Sequence, residues 1–226
     1  MVTIGSFAAA ARQAAGIVVV IDVFRAFTTA AVALGNGARR IVMVDDLDQA
    51  LALRDQGLGS RCMGERGGIR PAGFDFGNSP AEIRDVRFDG ETLIQTTSNG
   101  TRGVVLATGA ARIYAGSFVS AEATVQAIRA TGEQRVSLVA MGDHDRTQAD
   151  EDEVCALYLR SRLAGRQPDR AAAAALVATM ALRADTVALS PADVECCLAI
   201  DSVPFAIRVE RQDGYLIAVA ETAAAG

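Results

Sequence analysis

The feature that most constrains this chain is the regular alternation of short β-rich runs with helical patterns from Ile17 to Met141. Ile17–Asp22 reads as a strand, followed by a helix near Arg25–Leu34 that stops at Gly35–Gly37, where glycine suits a helix C-cap. Arg40–Asp45 is a second strand, after which Asp46 caps a helix with Leu47, Ala50 and Leu51 on one face. Ser60–Glu65 and Thr92–Thr97 are the third and fourth strands, Ala111–Gly116 the fifth and Arg135–Met141 the sixth. A helix opens at Asn99–Gly100, and Ser117 is expected to cap another that carries Phe118, Ala121, Val125 and Ile128. Such alternation predicts an α/β fold with a mainly parallel sheet, because parallel strands need crossover helices and these cover the sheet faces.

The last third changes character. Helical patterns cover Asp150–Leu163 and Asp169–Leu182, with a weaker one near Ala192–Ala199, and Phe205–Val219 reads as a β-hairpin turning at Asp213–Gly214. The apolar run Ala171–Leu182 lies between Arg170 and Arg183. It is too short to span a bilayer and is expected to be a buried helix. No repeat or low-complexity linker divides the chain, so residues 1–226 are expected to form a single domain; the pattern offers a subdivision only near residues 130–145.

Three compositional facts exclude whole classes of chemistry. All 22 basic residues are arginine, so no lysine Schiff base, P-loop lysine or lysine general base operates here. The single histidine, His144, rules out histidine triads and multi-histidine metal sites. The net charge of −5, with no basic run interleaved with aromatics, argues against nucleic-acid binding. Cys62, Cys155, Cys196 and Cys197 have no C-x-x-C spacing, and no cysteine is followed six residues on by arginine. Reduced, mostly buried thiols in a cytoplasmic protein are therefore expected. The N-terminus has no charged leader and Arg12 breaks its alanines, so no signal peptide is expected.

The unusual polar residues fall at strand carboxyl ends, where open α/β sheets bind ligands. Asp22 ends the first strand, with Arg25 starting the next helix. The third strand runs into the long loop Gly64–Pro80, which carries Glu65, Arg66, Arg70, Asp75 and Asn78. Loops of that length inside a compact domain are usually functional. The fourth runs into Thr96–Arg102, "TTSNGTR", where a helix start with Asn99, Gly100, Thr101 and Arg102 would suit an anion. The sixth ends in "GDHDR" (Gly142–Arg146), just before "DEDEVC" (Asp150–Cys155).

Plainer readings exist for several of these. Glu151 and Asp152 suit a helix N-terminus by charge alone. Ser79-Pro80 is first a capped helix start, and Arg25 could simply pair with a surface carboxylate. Together, though, arginines, an anion-ready helix start and several carboxylates point to phosphoryl chemistry, with carboxylates holding Mg²⁺ and arginines holding phosphate.

At these residues the chain resembles the 2-phosphosulfolactate phosphatases. The matching blocks are "IDVFRAFTT" (Ile21–Thr29), "GERGG" (Gly64–Gly68), "GFDFGNSP" (Gly73–Pro80), "TTSNGTR" (Thr96–Arg102), "AGSF" (Ala115–Phe118) and "EDEVCA" (Glu151–Ala156), in the family's order. The tail "VECCLAIDSVPFAIRV" is similar as well. The resemblance implies a three-layer α/β/α core and a Mg²⁺-dependent phosphatase. Its reaction would convert (R)-2-phospho-3-sulfolactate to sulfolactate and phosphate, in coenzyme M biosynthesis. Its motifs carry over onto Asp22, Arg25, Glu65, Asn78, Thr97, Asn99, Gly100, Thr101, Arg102, Glu151 and Asp152. By chemistry, Asp22, Arg25 and Glu65 are the expected catalytic residues. Asp22, Glu65, Glu151 and Asp152 are the expected Mg²⁺ carboxylates. Arg25, Arg102, Asn78, Thr97 and the Asn99–Thr101 turn would hold phosphate, and Arg66 or Arg70 would neutralise the sulfonate or carboxylate. The expected partners are a small anionic phosphate ester and, at most, a second copy of the chain; no membrane is involved.

This chain departs from the family pattern at Phe27, at Met141–Asp145 and at Leu157, positions expected to line the pocket. Two rival readings remain. A haloacid-dehalogenase-type phosphatase would make Asp22 the nucleophile, but it needs an aspartate at position 24, where Phe24 stands, and a later lysine. A non-catalytic anion-binding homologue is the other.

Overall fold

The computed structural model describes residues 1–142, 149–181 and 189–222. In chain order the first half reads β1 (Val2–Ser6), α1 (Phe7–Gln13), β2 (Gly16–Ile21), α2 (Ala26–Gly35), β3 (Arg40–Met43), α3 (Leu47–Asp55) and β4 (Arg61–Gly64). Then come α4 (Pro80–Ile83), β5 (Thr92–Thr96), α5 (Gly100–Leu106), β6 (Ala110–Gly116), α6 (Ala121–Ala130) and β7 (Val136–Ala140). The chain closes with α7 (Asp150–Leu163), α8 (Arg170–Ala181), α9 (Pro191–Cys197), β8 (Phe205–Gln212) and β9 (Tyr215–Thr222).

Every strand and helix expected from periodicity is present within a few residues of its expected bounds. The local signals behave as their chemistry requires. Asp46 caps α3 by accepting from the Gln49 N–H at 2.7 Å, and Ser79 caps α4 by accepting from the Glu82 N–H at 3.1 Å, with Pro80 following. Ser117 makes no such bond; a 3-10 turn over Phe118–Ser120 comes first, and α6 starts only at Ala121. The pattern gave no sign of β1 and α1. Val2–Ser6 is short, and Ser6 leaves α1 without a side-chain cap, so nothing local marks either element.

One nine-stranded sheet runs in the order β1-β7-β2-β6-β8-β9-β3-β5-β4. The pairs β1–β7, β7–β2, β2–β6, β3–β5 and β5–β4 are parallel, so the sheet is mainly parallel as expected. The C-terminal hairpin is not an appendage at one edge. Its antiparallel strands sit between β6 and β3 and join two parallel halves.

Alternate residues of β2 feed two layers, because successive side chains on a strand point to opposite faces. Val18 and Val20 pack in one cluster with α2 and α5; Ile17, Val19 and Ile21 pack in another with α6 and α7. A third cluster places α3 against Val42, Val44, Ile94 and Ile217. Each such fully buried branched side chain contributes roughly 1.5–3 kcal/mol. Eight of the ten residues of α2 are buried, including Phe27, so that helix is apolar nearly all round.

The opposite holds for α8, which was expected to be buried. Val177 is its one buried residue, and Leu176 is 48% exposed. Alanine makes the helix by propensity but brings too little surface to bury it, so an apolar run of alanines does not imply an interior position. No helix among the described residues is long and apolar enough to cross a membrane.

Between β2 and β5 lie five strand steps, roughly 24 Å if the sheet were flat at about 4.8 Å per step. Yet the Gln95 side chain of β5 donates to the carbonyl of Ala26, the first residue of α2, at 2.9 Å. The sheet therefore twists and curls around α2 and α5, and this brings the carboxyl ends of its two parallel halves face to face.

Candidate active site

Asp22 stands at this meeting point. Its N–H extends the β2–β6 ladder to the Gly116 carbonyl at 3.2 Å, and the chain then turns into α2. Its carboxylate accepts from the Ala26 N–H at 3.1 Å and from the Gly100 N–H, so one buried side chain closes the starts of both α2 and α5. Burial pushes its pKa up to about 6, and the charge of Glu65 adds to the rise; the two N–H groups and Arg25 oppose it.

Gly100 is required here by space. A Cβ at that position would lie 2.7 Å from the Ala26 Cβ and 2.8 Å from the Asp22 Oδ2. Gly100→Ala is therefore expected to destabilise the fold by about 1–3 kcal/mol, as overpacking does, and to displace Asp22 as well. Urea unfolding checks this; an unchanged midpoint would mean that α5 retreats from Asp22 at no cost.

The turn before α5 is closed by its own threonines. The Thr101 N–H donates to Thr97 Oγ1 at 3.1 Å, and the Thr97 N–H donates to Thr101 Oγ1 at 2.8 Å. The backbone donors of Gly100 and Thr101, which the sequence suggested for an anion, are thus engaged within the chain. Asn99 is the N-cap residue but makes no side-chain capping bond, and Arg102 lies half-buried in the first turn.

Glu65, buried just after β4, is the anchor of the long loop. Oε1 accepts from the Ser98 N–H at 2.7 Å, and Oε2 accepts from the Gly68 N–H at 2.8 Å and the Ser98 hydroxyl at 3.0 Å. The Arg66 guanidinium donates to the carbonyls of Glu65 and Asp45 and to the Thr96 hydroxyl at 2.7, 2.6 and 2.7 Å. Arg70 is exposed and pairs with Glu82 at 3.3 Å. Both arginines, as placed, brace the loop. Asn78 is buried, and its Oδ1 has no donor among the described residues.

Asp152, in the first turn of α7, does more than complement a helix dipole. Its Oδ1 accepts from the Val23 N–H at 2.8 Å and its Oδ2 from the Gly142 N–H at 3.1 Å, tying α7 to the ends of β2 and β7. Burial raises its pKa well above the ordinary value, and the charges of Glu151 and Asp22 raise it further. Glu151 beside it is half-buried. Of the late acidic motif Gly142–Arg146, only Gly142 is within the described residues.

Arg25 is buried, and its partner is not a surface carboxylate. Its Nη1 donates to Asp193 Oδ2 at 2.9 Å, across 168 positions of sequence. Sequence reasoning missed Asp193, since "SPAD" at Ser190–Asp193 reads as an ordinary capped helix start. It also missed Ser98, the residue that fixes Glu65.

The positions at which this chain departs from the family pattern were expected to line the pocket, and the structure corrects this for three of them. Phe27 and Met141 are buried in the core, where Met141 fills the space beside Gly103, and Leu157 lies on the exposed side of α7. Phe24, where a dehalogenase-type enzyme needs its acid–base aspartate, packs against the α6–α7 cluster.

Asp22 thus sits among Glu65, Asp152 and Arg25, with Asn99 and Arg102 at the adjoining helix start. Among the described residues, no three His, Cys, Asp or Glu side chains form a ready metal-holding group. Hard, buried carboxylate oxygens, with the pKa of Asp22 raised by Glu65 and that of Asp152 by Glu151 and Asp22, nevertheless suit a divalent cation such as Mg²⁺, which needs only one or two protein carboxylates when waters and a phosphate complete the shell. Asp22 and Asp152 each accept two hydrogen bonds, leaving lone pairs open, whereas Glu65 accepts three of about four.

A family model described as 2-phosphosulpholactate phosphatase matches residues 7–193. A probable 2-phosphosulfolactate phosphatase of Caldicellulosiruptor saccharolyticus is 37% identical over 144 residues, covering 62% of this chain and 59% of the relative. That of Carboxydothermus hydrogenoformans is 44% identical over 106 residues, covering 47% and 44%. That of Symbiobacterium thermophilum is 37% identical over 163 residues, covering 71% and 68%. For the first two, the chain matches less than two thirds of the relative's length.

Proposed function

The chain belongs to the 2-phosphosulpholactate phosphatase family, and from that premise we propose that it is a Mg²⁺-dependent phosphomonoesterase acting on (R)-2-phospho-3-sulfolactate or a related 2-phospho-2-hydroxy acid. The observation that carries the reading is Asp22: a buried carboxylate, crowded by Glu65 and Asp152, at the joint of two helix starts and beside a buried arginine. Nothing in simple fold stability favours such a cluster.

In this reading Asp22 and Asp152 would hold Mg²⁺, which would neutralise phosphate charge and orient the ester. Arg25 and Arg102 bind phosphate oxygens, and the Asn99 side chain adds a neutral donor. Glu65 fixes the Ser98–Gly100 turn against the long loop and so sets where Asp22 points. Positioning and charge neutralisation supply most of the rate as the P–O ester bond breaks and the alcohol leaves. The free, mostly buried cysteines fit a cytoplasmic setting.

Phosphate release from (R)-2-phospho-3-sulfolactate and phospholactate, with Mg²⁺ and with a chelator, tests the proposal. Turnover that requires the metal is expected. No turnover on any 2-hydroxy-acid phosphate, despite phosphate binding, would leave a non-catalytic anion-binding homologue.

A thermal measurement reads the metal site without catalysis. The Asp22 pKa is raised in the folded state, so the metal-free fold holds a proton that the unfolded chain has released. Metal-free stability should therefore fall as pH rises from about 4 to above 6 and stay low beyond. At pH 8 the carboxylate is ionised and ready for Mg²⁺; at pH 5 the ion must displace a proton. Mg²⁺ at matched ionic strength is expected to raise Tm clearly more at pH 8 than at pH 5. An equal shift at both would remove Asp22 from the ion's site.

A further inference from the structure

Asp193 lies near the C-terminal end of the family match, on a short helix that the proposed chemistry does not use. Its carboxylate is nonetheless the busiest polar node outside the Asp22 cluster. Oδ2 takes Arg25 Nη1 at 2.9 Å; Oδ1 takes the Ser79 hydroxyl at 2.6 Å and the Ala81 N–H at 3.2 Å. The Asp193 N–H donates in turn to the Ser190 hydroxyl at 3.0 Å. One side chain, itself 2% exposed, thus joins the start of α2, the start of α4 and α9. Burial would push its pKa up, but Ser79, Ala81 and Arg25 outweigh that and hold it below the usual value, so it faces Arg25 as an anion.

Among the described residues, Asp193 is the sole side chain hydrogen-bonded to Arg25. It engages Nη1 of a guanidinium that has five N–H donors in a fixed plane, so one bond leaves further donors for a ligand. A free arginine would lose rotamer entropy on capturing phosphate, and a held one loses less. The same carboxylate fixes Ser79 beside Asn78, the buried residue whose Oδ1 lacks a donor. We propose that Asp193 is the positioning residue of this site: through Arg25 it presents a preset guanidinium to the phosphate, and through Ser79 it holds the Asn78 turn in place. The inference rests on Arg25 binding phosphate, as in the function proposed above.

A double-mutant cycle tests it in the whole chain, with Asp193→Asn and Arg25→Ala made singly and together. Asparagine keeps an oxygen for Ser79 and Ala81 but loses the charge that orients Arg25. Asp193→Asn is expected to lower kcat/KM by roughly tenfold to a hundredfold, the usual cost of a displaced binding group. In the Arg25→Ala background the same change should have almost no further effect. Inorganic phosphate, titrated calorimetrically, should show the same non-additivity in Kd, and this arm needs no turnover. A wild-type protein that binds phosphate but turns over no substrate would overturn the enzymatic reading while still testing the pair. Equal losses from Asp193→Asn in both backgrounds would overturn the positioning role. So would a loss that tracks a fall in Tm and is not partly rescued by Asp193→Glu.

Discussion

Asparagine in place of Asp22 is expected to reduce phosphate release more than about a hundredfold while leaving the metal-free fold about as stable as wild type. Both expectations rest on one carboxylate. The carboxylate is buried, and its pKa is pushed from 3.8 up to about 6. Above that pH, keeping it ionised costs on the order of 3 kcal/mol. Asparagine removes the charge and keeps an oxygen for the Ala26 N–H, but the Gly100 N–H loses its acceptor at about 1–3 kcal/mol, so the two terms offset and the fold holds as chemistry is lost. Chemical denaturation in chelator, beside a phosphate-release assay, reads both. Near-normal turnover would reduce Asp22 to a cap shared by two helices. The stereochemistry at phosphorus then assigns the attacking atom in the wild type: with a substrate made chiral at phosphorus by oxygen isotopes, inversion marks a single displacement by water, and retention marks two displacements through a carboxylate.

Gly64→Ala should do the reverse and remove the fold before chemistry is reached. Gly64 has φ +146°, and a Cβ there would lie 1.9 Å from the Thr96 carbonyl oxygen, with the Thr96 carbonyl carbon at 2.9 Å. Thr96 is the strand residue paired with Gly64, so the obstacle is backbone in the β4–β5 ladder and no side chain can swing away. A loss of roughly 3 kcal/mol or more is expected, with the loop carrying Glu65 freed from Ser98. Wild-type stability in urea would show that β4 can shift its register to make room.

The contrast between these two residues shows which parts of the site were legible. Asp22 is visible in sequence because a charged residue ending a run of five apolar ones at a strand terminus is chemically conspicuous. Gly64 and Gly100 appear only as members of glycine-bearing blocks, and their necessity rests on which backbone or carboxylate comes to face them. Asp152 was legible as a carboxylate at a helix start, but its hydrogen bonds to Val23 and Gly142 were not, since they join α7 to two strand ends. For Arg66 the sequence showed none of its contacts within the chain. It was expected to meet a sulfonate or carboxylate, and as placed three of its five N–H donors go to Glu65, Asp45 and Thr96.

What the sequence determined by itself was the type and order of the elements, the capping of α3 and α4, and the location of the chemistry at strand ends. Those follow from signals that act over a few residues: a side-chain period of two or 3.6, a capping hydroxyl, a turn glycine. Only the tertiary structure decided that the C-terminal hairpin enters the middle of the sheet. It alone decided that Asp22 meets Gly100 across five strand steps, that an alanine-rich helix lies on the surface, and that Asp193 holds Arg25. The physical reason is range. Which buried faces fit together, and how far the sheet must curl to enclose α2 and α5, depends on contacts between segments from 69 to 168 residues apart, and no local period encodes them.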